Sequence, residues 1–169
     1  MRFRDKVVVV TGAAGGVGQA LVRLFAREGA RLLLADFNEP GCVAVAEEAR
    51  RLGAEAEYLA GDLRDKPYCE AVIERAVECF AGVDILLNNA GIIPRGTIET
   101  TTDDMWFDAM NVNLNAVFFL CRAAIPHETA GRWCDCQHLI GLGHLPRPGP
   151  CCLLHQQRCG GRVDPQPGP

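Results

Sequence analysis

A glycine-rich segment near the start of the chain has the composition of a corner that binds an anion. It reads T-G-A-A-G-G-V-G over residues 11–18, directly after the apolar run 6–11 and directly before a helical pattern. Glycine permits a tight turn and lets the backbone approach a diphosphate, while the first helical turn offers unpaired N–H groups and a partial positive charge. The alternative is a plain glycine turn that joins a strand to a helix. The residues expected to contact the diphosphate are Gly12, Gly16, Val17 and Gly18.

The carboxylate of Asp36 stands at the end of the second apolar run, 31–36. In that position it can accept hydrogen bonds from both hydroxyls of an adenosine ribose, and its charge would repel a 2′-phosphate. Phe37 and Asn38 follow it, and neither they nor the glycine segment supply a basic residue. The pattern therefore favours NAD over NADP. The alternative is that Asp36 is an ordinary helix-capping or turn residue.

Three further short segments follow in order along the chain. Residues 61–63 read G-D-L, residues 88–91 read N-N-A-G, and residues 111–114 read N-V-N-L. Asn113 falls on the apolar stripe of a long helical pattern, where a buried amide needs hydrogen-bond partners. A satisfied core asparagine is the alternative to a functional one at this position.

In this order, over residues 5–126, the motifs resemble those of the short-chain dehydrogenase/reductase family. The resemblance implies that the carboxylate of Asp62 accepts a hydrogen bond from the adenine amino group of NAD, and that Asn113 holds a water in the proton relay to an active-site lysine. It implies hydride transfer between NAD and a small alcohol or ketone, in a homo-oligomer paired through the long helix and the next one. The other residues implied to lie along the cofactor are Leu63, Asn89, Ala90 and Gly91.

The residues that the family uses for the chemical step are missing from this sequence. By resemblance, a tyrosine exchanges the proton of the substrate hydroxyl, a lysine four residues later lowers the pKa of that tyrosine, and an upstream serine orients the substrate oxygen. The chain contains no serine, and its last tyrosine and last lysine are Tyr68 and Lys66, in the first turn of the third helix. We therefore predict an inactive chain in which Asn113 is the surviving catalytic member. The alternative is a non-catalytic dinucleotide-binding fragment.

The composition changes near His127, beyond which most of the prolines and cysteines lie. Residues 1–127 are expected to form the NAD-binding part and residues 128–169 an irregular, disordered tail. Codons compatible with residues 134–142, read one nucleotide later, can spell A-I-V-N-I-S-S-A, and those of residues 151–169 can spell a segment with Y-x-x-x-K. The hypothesis is therefore a truncation or a frame change after about residue 127.

A zinc site is the alternative explanation of the tail's composition, because cysteine and histidine are the ligands that zinc takes. The C-x-C-x-H and C-C spacings match no common zinc motif, so no metal is expected. The candidate ligands are Cys134, Cys136, His138, Cys151, Cys152, His155 and Cys159.

Strand and helix patterns that alternate along the chain must position these motifs. The strand-like runs are 6–11, 31–36, 56–60 and 85–88. Their alternation with helices requires parallel strands and right-handed crossovers, which is the doubly wound, Rossmann-type α/β fold. Four strands in the order 3-2-1-4 are expected. The edge of the fourth strand is then uncovered and the nicotinamide half of the site is poorly formed, so weak NAD affinity is expected.

The helical patterns begin near Val17, at Pro40, at Asp65 as a cap, and near Asp104. The last is expected to be one long helix that ends at Ala124, with a single apolar stripe. That stripe consists of Trp106, Met110, Leu114, Val117, Phe118 and Cys121.

Charge and hydropathy argue against two classes of partner. The net charge is −4 and 49% of the residues are apolar, which is ordinary for a globular protein and offers no basic surface for nucleic acid. The aliphatic run Val7–Val10 is too short for a signal peptide or a spanning helix, so no membrane association and a cytoplasmic location are expected. The nine cysteines are accordingly expected to be free thiols.

Overall fold

A parallel β-sheet organises the chain in the computed structural model, which describes residues 1–127 and 134–137. Neighbouring strands lie in the order β3-β2-β1-β4-β5, and each described pairing is parallel. The Rossmann-type fold and the order of the first four strands are therefore as predicted. The strands are β1 (Val7–Thr11), β2 (Arg31–Asp36), β3 (Ala56–Ala60), β4 (Ile85–Asn88) and β5 (Cys134–Gln137).

Helices connect these strands and cover both faces of the sheet. They are α1 (Gly16–Arg27), α2 (Glu39–Arg51), α3 (Lys66–Phe80), α4 (Asp103–Met110) and α5 (Ala116–Ala124), with a π-helical turn at Asn111–Asn115 and a 3-10 turn at Ile125–His127. The side chain of Asn38 caps α2 by accepting from the backbone N–H of Gly41, and Thr102 caps α4 in the same way. Asp65 stands at the predicted cap position of α3, but its side chain makes no capping hydrogen bond.

The core lies on both sides of β1, whose five residues are all buried. Val7 and Val9 pack into a cluster with residues of α3 and α5, whereas Val8 and Val10 pack into a second cluster with residues of α1 and α2. Because successive side chains of a strand point to opposite faces, an unbroken valine run serves both clusters. The strand that leads to the glycine corner is therefore held rigidly from both faces.

The single long helix that the sequence predicts is interrupted, and its predicted apolar stripe is wrong. Of the six stripe residues only Val117 is buried, while Trp106, Leu114 and Phe118 are more than half exposed. A π-helical turn holds extra backbone, so it rotates the residues after it relative to a continuous α-helix. The buried side of α5 consists instead of Ala116, Val117, Leu120 and Ala124.

The edge of β4, which was expected to be uncovered, carries a fifth strand. Residues from Cys134 to Gln137 pair with Ile85 to Asn88 in parallel register. The exposed edge of a strand presents unpaired N–H and C=O groups, which an extended segment can satisfy. The prediction of an irregular tail therefore fails at these four residues. The rest of that prediction, and the side chains of the alternative zinc ligands, lie outside what the structure describes.

Among the described residues, no helix combines the length and the apolar character that a membrane span requires.

Candidate functional site

The carboxyl ends of β1, β2, β3 and β4 meet at one edge of the sheet, where they border a cleft of about 600 Å³. A cleft at this edge is the usual ligand site of an open parallel sheet, and its volume is that of a small-molecule site. All ten residues that the sequence predicts to contact a cofactor line it. They are Gly12, Gly16, Val17, Gly18, Asp36, Asp62, Leu63, Asn89, Ala90 and Gly91.

The glycine corner is packed tightly on its protein side. Gly12 has φ +64°, and a Cβ atom there would lie 2.8 Å from Cα of Ala90. A Cβ atom at Gly18 would collide with the carbonyl oxygen of Gly12. These two glycines are therefore required by the close approach of β1, α1 and the segment after β4.

Gly16 differs from its neighbours because a Cβ atom there would meet nothing within 4 Å. It is the first residue of α1, and the N-cap Gly15 has no side chain that could cap the helix. The N–H groups of the first turn consequently have no partner within the helix. An open, uncapped helix start of this kind suits an anion such as a diphosphate.

Asp36 is only 8% exposed, yet it lines the cleft. Its Oδ2 atom accepts a hydrogen bond from the backbone N–H of Ala14 at 3.0 Å, and its Oδ1 atom accepts from the N–H of Asn38 at 3.0 Å. These bonds fix the carboxylate beside the glycine corner. Since a carboxylate offers about four acceptor positions, two remain for ribose hydroxyls.

The segment after β4 is attached to β1 through Thr11, a residue whose role the sequence does not reveal. Its Oγ1 atom accepts from the backbone N–H groups of Asn89 and Ala90, both at 3.1 Å. The Nδ2 group of Asn89 donates to the carbonyl oxygens of Thr11 and Gly12 at 3.0 and 3.1 Å. The Oδ1 atom of Asn89 is buried and has no hydrogen-bond partner among the described residues.

Asn113 is not the buried amide that the sequence suggests, because it is partly exposed in the π-helical turn. Its Oδ1 atom accepts from the backbone N–H of Ile92 at 2.9 Å, and its Nδ2 group donates to the carbonyl oxygen of Ile92 at 2.8 Å. Both polar atoms thus hold the chain just after Gly91. In this arrangement Asn113 positions the wall of the cleft, and Val112, rather than Asn113, is a lining residue.

Asp62 forms part of a charged cluster that sequence reasoning missed. Its Oδ2 atom lies 2.6 Å from Nη2 of Arg64, and Nη1 of Arg64 lies 2.9 Å from Oδ1 of Asp108 on α4. Hydrogen bonds from Arg64 hold the pKa of Asp62 below its ordinary value, and the two carboxylates raise that of Arg64. No local pattern joins residues 44 positions apart, so only the fold reveals this contact.

The tyrosine nearest to the site does not serve as a proton donor in the cleft. The hydroxyl of Tyr68 donates to the carbonyl oxygen of Leu59 at 2.7 Å, and burial raises its pKa well above the ordinary value. Its ring packs against Gly61, where a side chain would collide with it. Lys66 is paired with Glu70 at 3.1 Å. Tyr68 therefore packs against the G-D-L segment from the side away from the cleft's glycine corner, and its hydroxyl is bonded to the backbone.

The described residues fit a dinucleotide and offer no metal centre. The open space at Gly16 and the fixed carboxylate of Asp36 border the same cleft, which Asn89 also lines. Within residues 1–127, no group of three or more His, Cys, Asp or Glu side chains is placed to hold a metal ion.

Comparisons with known proteins agree with this geometry. The model of the short chain dehydrogenase family matches residues 6–133. A probable galactose dehydrogenase from Rhizobium meliloti is 37% identical over 126 residues, which cover 74% of this chain and 49% of that protein. A meso-2,3-butanediol dehydrogenase from Serratia marcescens is 35% identical over 145 residues, 85% of this chain and 57% of that protein.

A solved structure gives the same result in three dimensions. The short chain dehydrogenase from Burkholderia cenocepacia, described in complex with NADP, superposes with a TM-score of 0.76 and 31% identity over 80% of this chain and 56% of that one. The chain spans about half the length of the curated relatives it matches. With the family model covering most of its length, the chain belongs to the short-chain dehydrogenase/reductase family, a family of oxidoreductases.

Proposed function

We propose that the chain binds NAD in the cleft at the ends of β1 to β4 and does not itself transfer hydride. The observation that carries this proposal is the open helix start at Gly16, which faces the same cleft as the fixed carboxylate of Asp36. The first supplies N–H groups for the diphosphate and the second supplies acceptors for the ribose.

Each contact follows from the chemistry of its residue. The first turn of α1, with Gly16, Val17 and Gly18, binds the diphosphate, and the two remaining acceptor positions of Asp36 bind the adenosine ribose. Asp62 and Leu63 border the adenine, while Asn89, Ala90 and Gly91 follow the cofactor towards its nicotinamide end. Asn113 holds that last segment in place through the backbone of Ile92. In a relative that carries the family's catalytic groups, NAD bound in this way would supply the hydride acceptor.

The preference for NAD over NADP rests on charge. Asp36 would lie against a 2′-phosphate, and the basic side chain among the described lining residues, Arg64, is already paired with two carboxylates. The Burkholderia cenocepacia relative is described with NADP, so the preference is a property of these side chains rather than of the fold.

Turnover requires groups that these 169 residues lack. The chain contains no serine, and Tyr68 is committed to the carbonyl oxygen of Leu59. Proton transfer to or from a substrate hydroxyl therefore has no donor or acceptor of the family's type. In a relative that carries those groups, the same cleft would serve NAD-dependent oxidation of a small alcohol or reduction of a ketone.

Titration calorimetry of the 169-residue chain with NAD and with NADP tests the proposal. We expect NAD to bind with a Kd on the order of 0.1–1 mM, because only the adenosine diphosphate half is well held, and NADP to bind more weakly. Replacing Asp36 with Asn keeps the size of the side chain and removes its charge, so the preference for NAD should fall about tenfold. Equal binding of both dinucleotides by the wild type would contradict the assignment of Asp36, and micromolar binding of NAD would contradict the weak affinity.

A frame change after about residue 127 is our proposal for the origin of the unusual tail. Its support is that residues 134–142 and 151–169, read one nucleotide later, can encode a family-like strand with serine and a Y-x-x-x-K segment. Sequencing of the coding DNA checks this directly. The proposal requires AGG or AGA at Arg158, and codons at Leu153, Gln157 and Arg158 that exclude the shifted reading would end it.

A further inference from the structure

A chain of three charged side chains joins the segment after β3 to helix α4 across one end of the cleft. The guanidinium of Arg64 donates from Nε and Nη2 to Oδ2 of Asp62, at 2.8 and 2.6 Å, and from Nη1 to Oδ1 of Asp108, at 2.9 Å. The backbone N–H of Arg64 also donates to Oδ1 of Asp62, at 2.9 Å. Asp62 and Arg64 line the cleft, whereas Asp108 approaches from outside it.

The hydrogen bonds leave one well-defined acceptor on Asp62. Of the roughly four acceptor positions of a carboxylate, Arg64 uses two at Oδ2 and one at Oδ1. The position that remains is on Oδ1. Both guanidinium bonds go to Oδ2, and the backbone N–H of Arg64 bonds to Oδ1, so Arg64 alone fixes both oxygens of the carboxylate.

Asp108 gives Arg64 an anchor on a different element. All three side chains are close to half exposed, at 44% to 47%, so Asp62 and Arg64 alone would exchange among rotamers in solvent. With Asp108 holding Nη1 from α4, the guanidinium has contacts on two sides. A network of this kind is better ordered than an isolated surface pair.

We propose that Arg64, anchored by Asp108, is a positioning residue that presents Oδ1 of Asp62 to the amino group of adenine. The inference rests on the proposed function, which places adenine at Asp62. It assigns adenine recognition to a three-residue unit that includes α4, not to the G-D-L segment alone. The same hydrogen bonds lower the pKa of Asp62.

AMP and IMP are the probes that isolate this role, because they differ at the 6-position of the purine. AMP has an amino group there that can donate to Asp62, while IMP has an oxo group that a carboxylate repels. Calorimetric titrations with AMP, IMP and NAD would be made on the full chain. The variants are Arg64→Gln, Arg64→Lys, Asp108→Asn and, as a control for charge on the same helix, the exposed Asp104→Asn.

We expect the wild type to bind AMP about tenfold more tightly than IMP. Arg64→Gln should bring this ratio close to one, and Arg64→Lys should restore it only in part because lysine lacks the planar fork. Asp108→Asn should lower the ratio about threefold, whereas Asp104→Asn should leave it unchanged. A loss of fold stability alone would weaken AMP and IMP equally, so the ratio distinguishes positioning from a structural effect.

The two proposals fail in different ways. If Arg64→Gln abolishes the preference of the wild type for AMP over IMP but the wild type does not bind NAD, the proposed function fails while the positioning role stands. If Arg64→Gln keeps the ratio, or binds AMP more tightly because Arg64 competed with adenine for Asp62, the positioning role is overturned and the NAD site stands. Absence of AMP binding by the wild type would overturn the positioning role, and absence of NAD binding as well would overturn both.

Discussion

Two regions of the molecule, the cleft around Asp36 and Asp62 and the region after Gly91, differ in how far protein contacts cover their side chains. At the adenosine end, Asp36 is bonded to two backbone N–H groups, Asp62 to Arg64, and Tyr68 to the carbonyl oxygen of Leu59. In the region after Gly91, the segment before α4, the helices α4 and α5 and the turns that follow them display large apolar side chains to solvent. They are Ile92, Ile93, Ile98, Trp106, Phe107, Leu114, Phe118 and Ile125.

This difference shows that internal contacts fix the cleft region, whereas the region after Gly91 keeps an apolar surface without such contacts. The glycine corner and Asp36 are fixed by close backbone contacts and hydrogen bonds, among them the contacts of Gly12 with Asn89 and Ala90 after β4. The α4–α5 region has an apolar surface that its own residues do not cover, and exposed patches of this kind mark contact surfaces. The cleft region should therefore tolerate few substitutions, and the region after Gly91 should tolerate substitutions on its exposed side.

The largest expected difference in stability loss is between two leucines of the region after Gly91. Leu120 is 1% exposed and packs against α3, whereas Leu114 is 51% exposed although the helical period predicted it to be buried. We expect Leu120→Ala to lower the free energy of unfolding by about 2–5 kcal/mol. Leu114→Ala should change it by less than about 0.5 kcal/mol. Urea unfolding of both variants measures this, and an equal loss would mean that the π-helical turn does not shift the buried face.

Two glycines with positive φ test how tightly the glycine corner is packed. Gly12 and Gly53 have φ of +64° and +92°, but a Cβ atom at Gly53 meets nothing within 4 Å, whereas one at Gly12 meets Ala90. Both alanine variants incur the left-handed strain of about 1–2 kcal/mol. Gly12→Ala should lose about 1–3 kcal/mol more because the segment after β4 must move. If thermal unfolding shows the same Tm for both, the corner is looser than the structure implies.

Buried thiols near the adenosine end should make the fold sensitive to alkaline pH. Desolvation raises the pKa of Cys42 to about 11 from 9.0. The unfolded thiol ionises first, so the folded state keeps a proton that the unfolded state releases, and stability falls as the pH rises from 9.0 towards 11. The loss is on the order of 2 kcal/mol for this group. Cys42→Ala should lose less stability than the wild type between pH 8 and 10.5, measured by urea unfolding; an identical loss would contradict the raised pKa.

The smallest expected loss of stability concerns the segment just after Gly91, which Asn113 holds in place. Asn113→Ala removes both side-chain bonds to Ile92, at a cost of about 1 kcal/mol, because this segment is partly open to water. The amide of Ile92 should then exchange its hydrogen with solvent faster. Asn115→Ala, which removes only a bond to Asn111 within the same turn, should leave that exchange unchanged.

Local patterns predicted where the glycine corner and Asp36 lie in the sheet, but not the buried face of α5, the pairing of Arg64 with Asp108 or the fifth strand. The valine run, the glycine spacing and Asp36 at a strand end are short-range signals, and each led to the correct place in the sheet. The buried face of α5 was mispredicted because a π-helical turn breaks the 3.6-residue period without a proline or glycine to mark it. The pairing of Arg64 with Asp108 and the strand Cys134–Gln137 depend on contacts between distant segments, which no local pattern contains.

Titration of NAD into the wild type and into Gly16→Leu tests whether the start of α1 binds the diphosphate of NAD. A Cβ atom at this position meets no protein atom within 4 Å, and leucine favours a helix, so the variant should fold with an unchanged or higher Tm. The leucine would occupy the space assigned to the diphosphate. We expect saturable NAD binding by the wild type and none by the variant at the same concentrations. Equal NAD binding by a correctly folded Gly16→Leu would contradict this expectation.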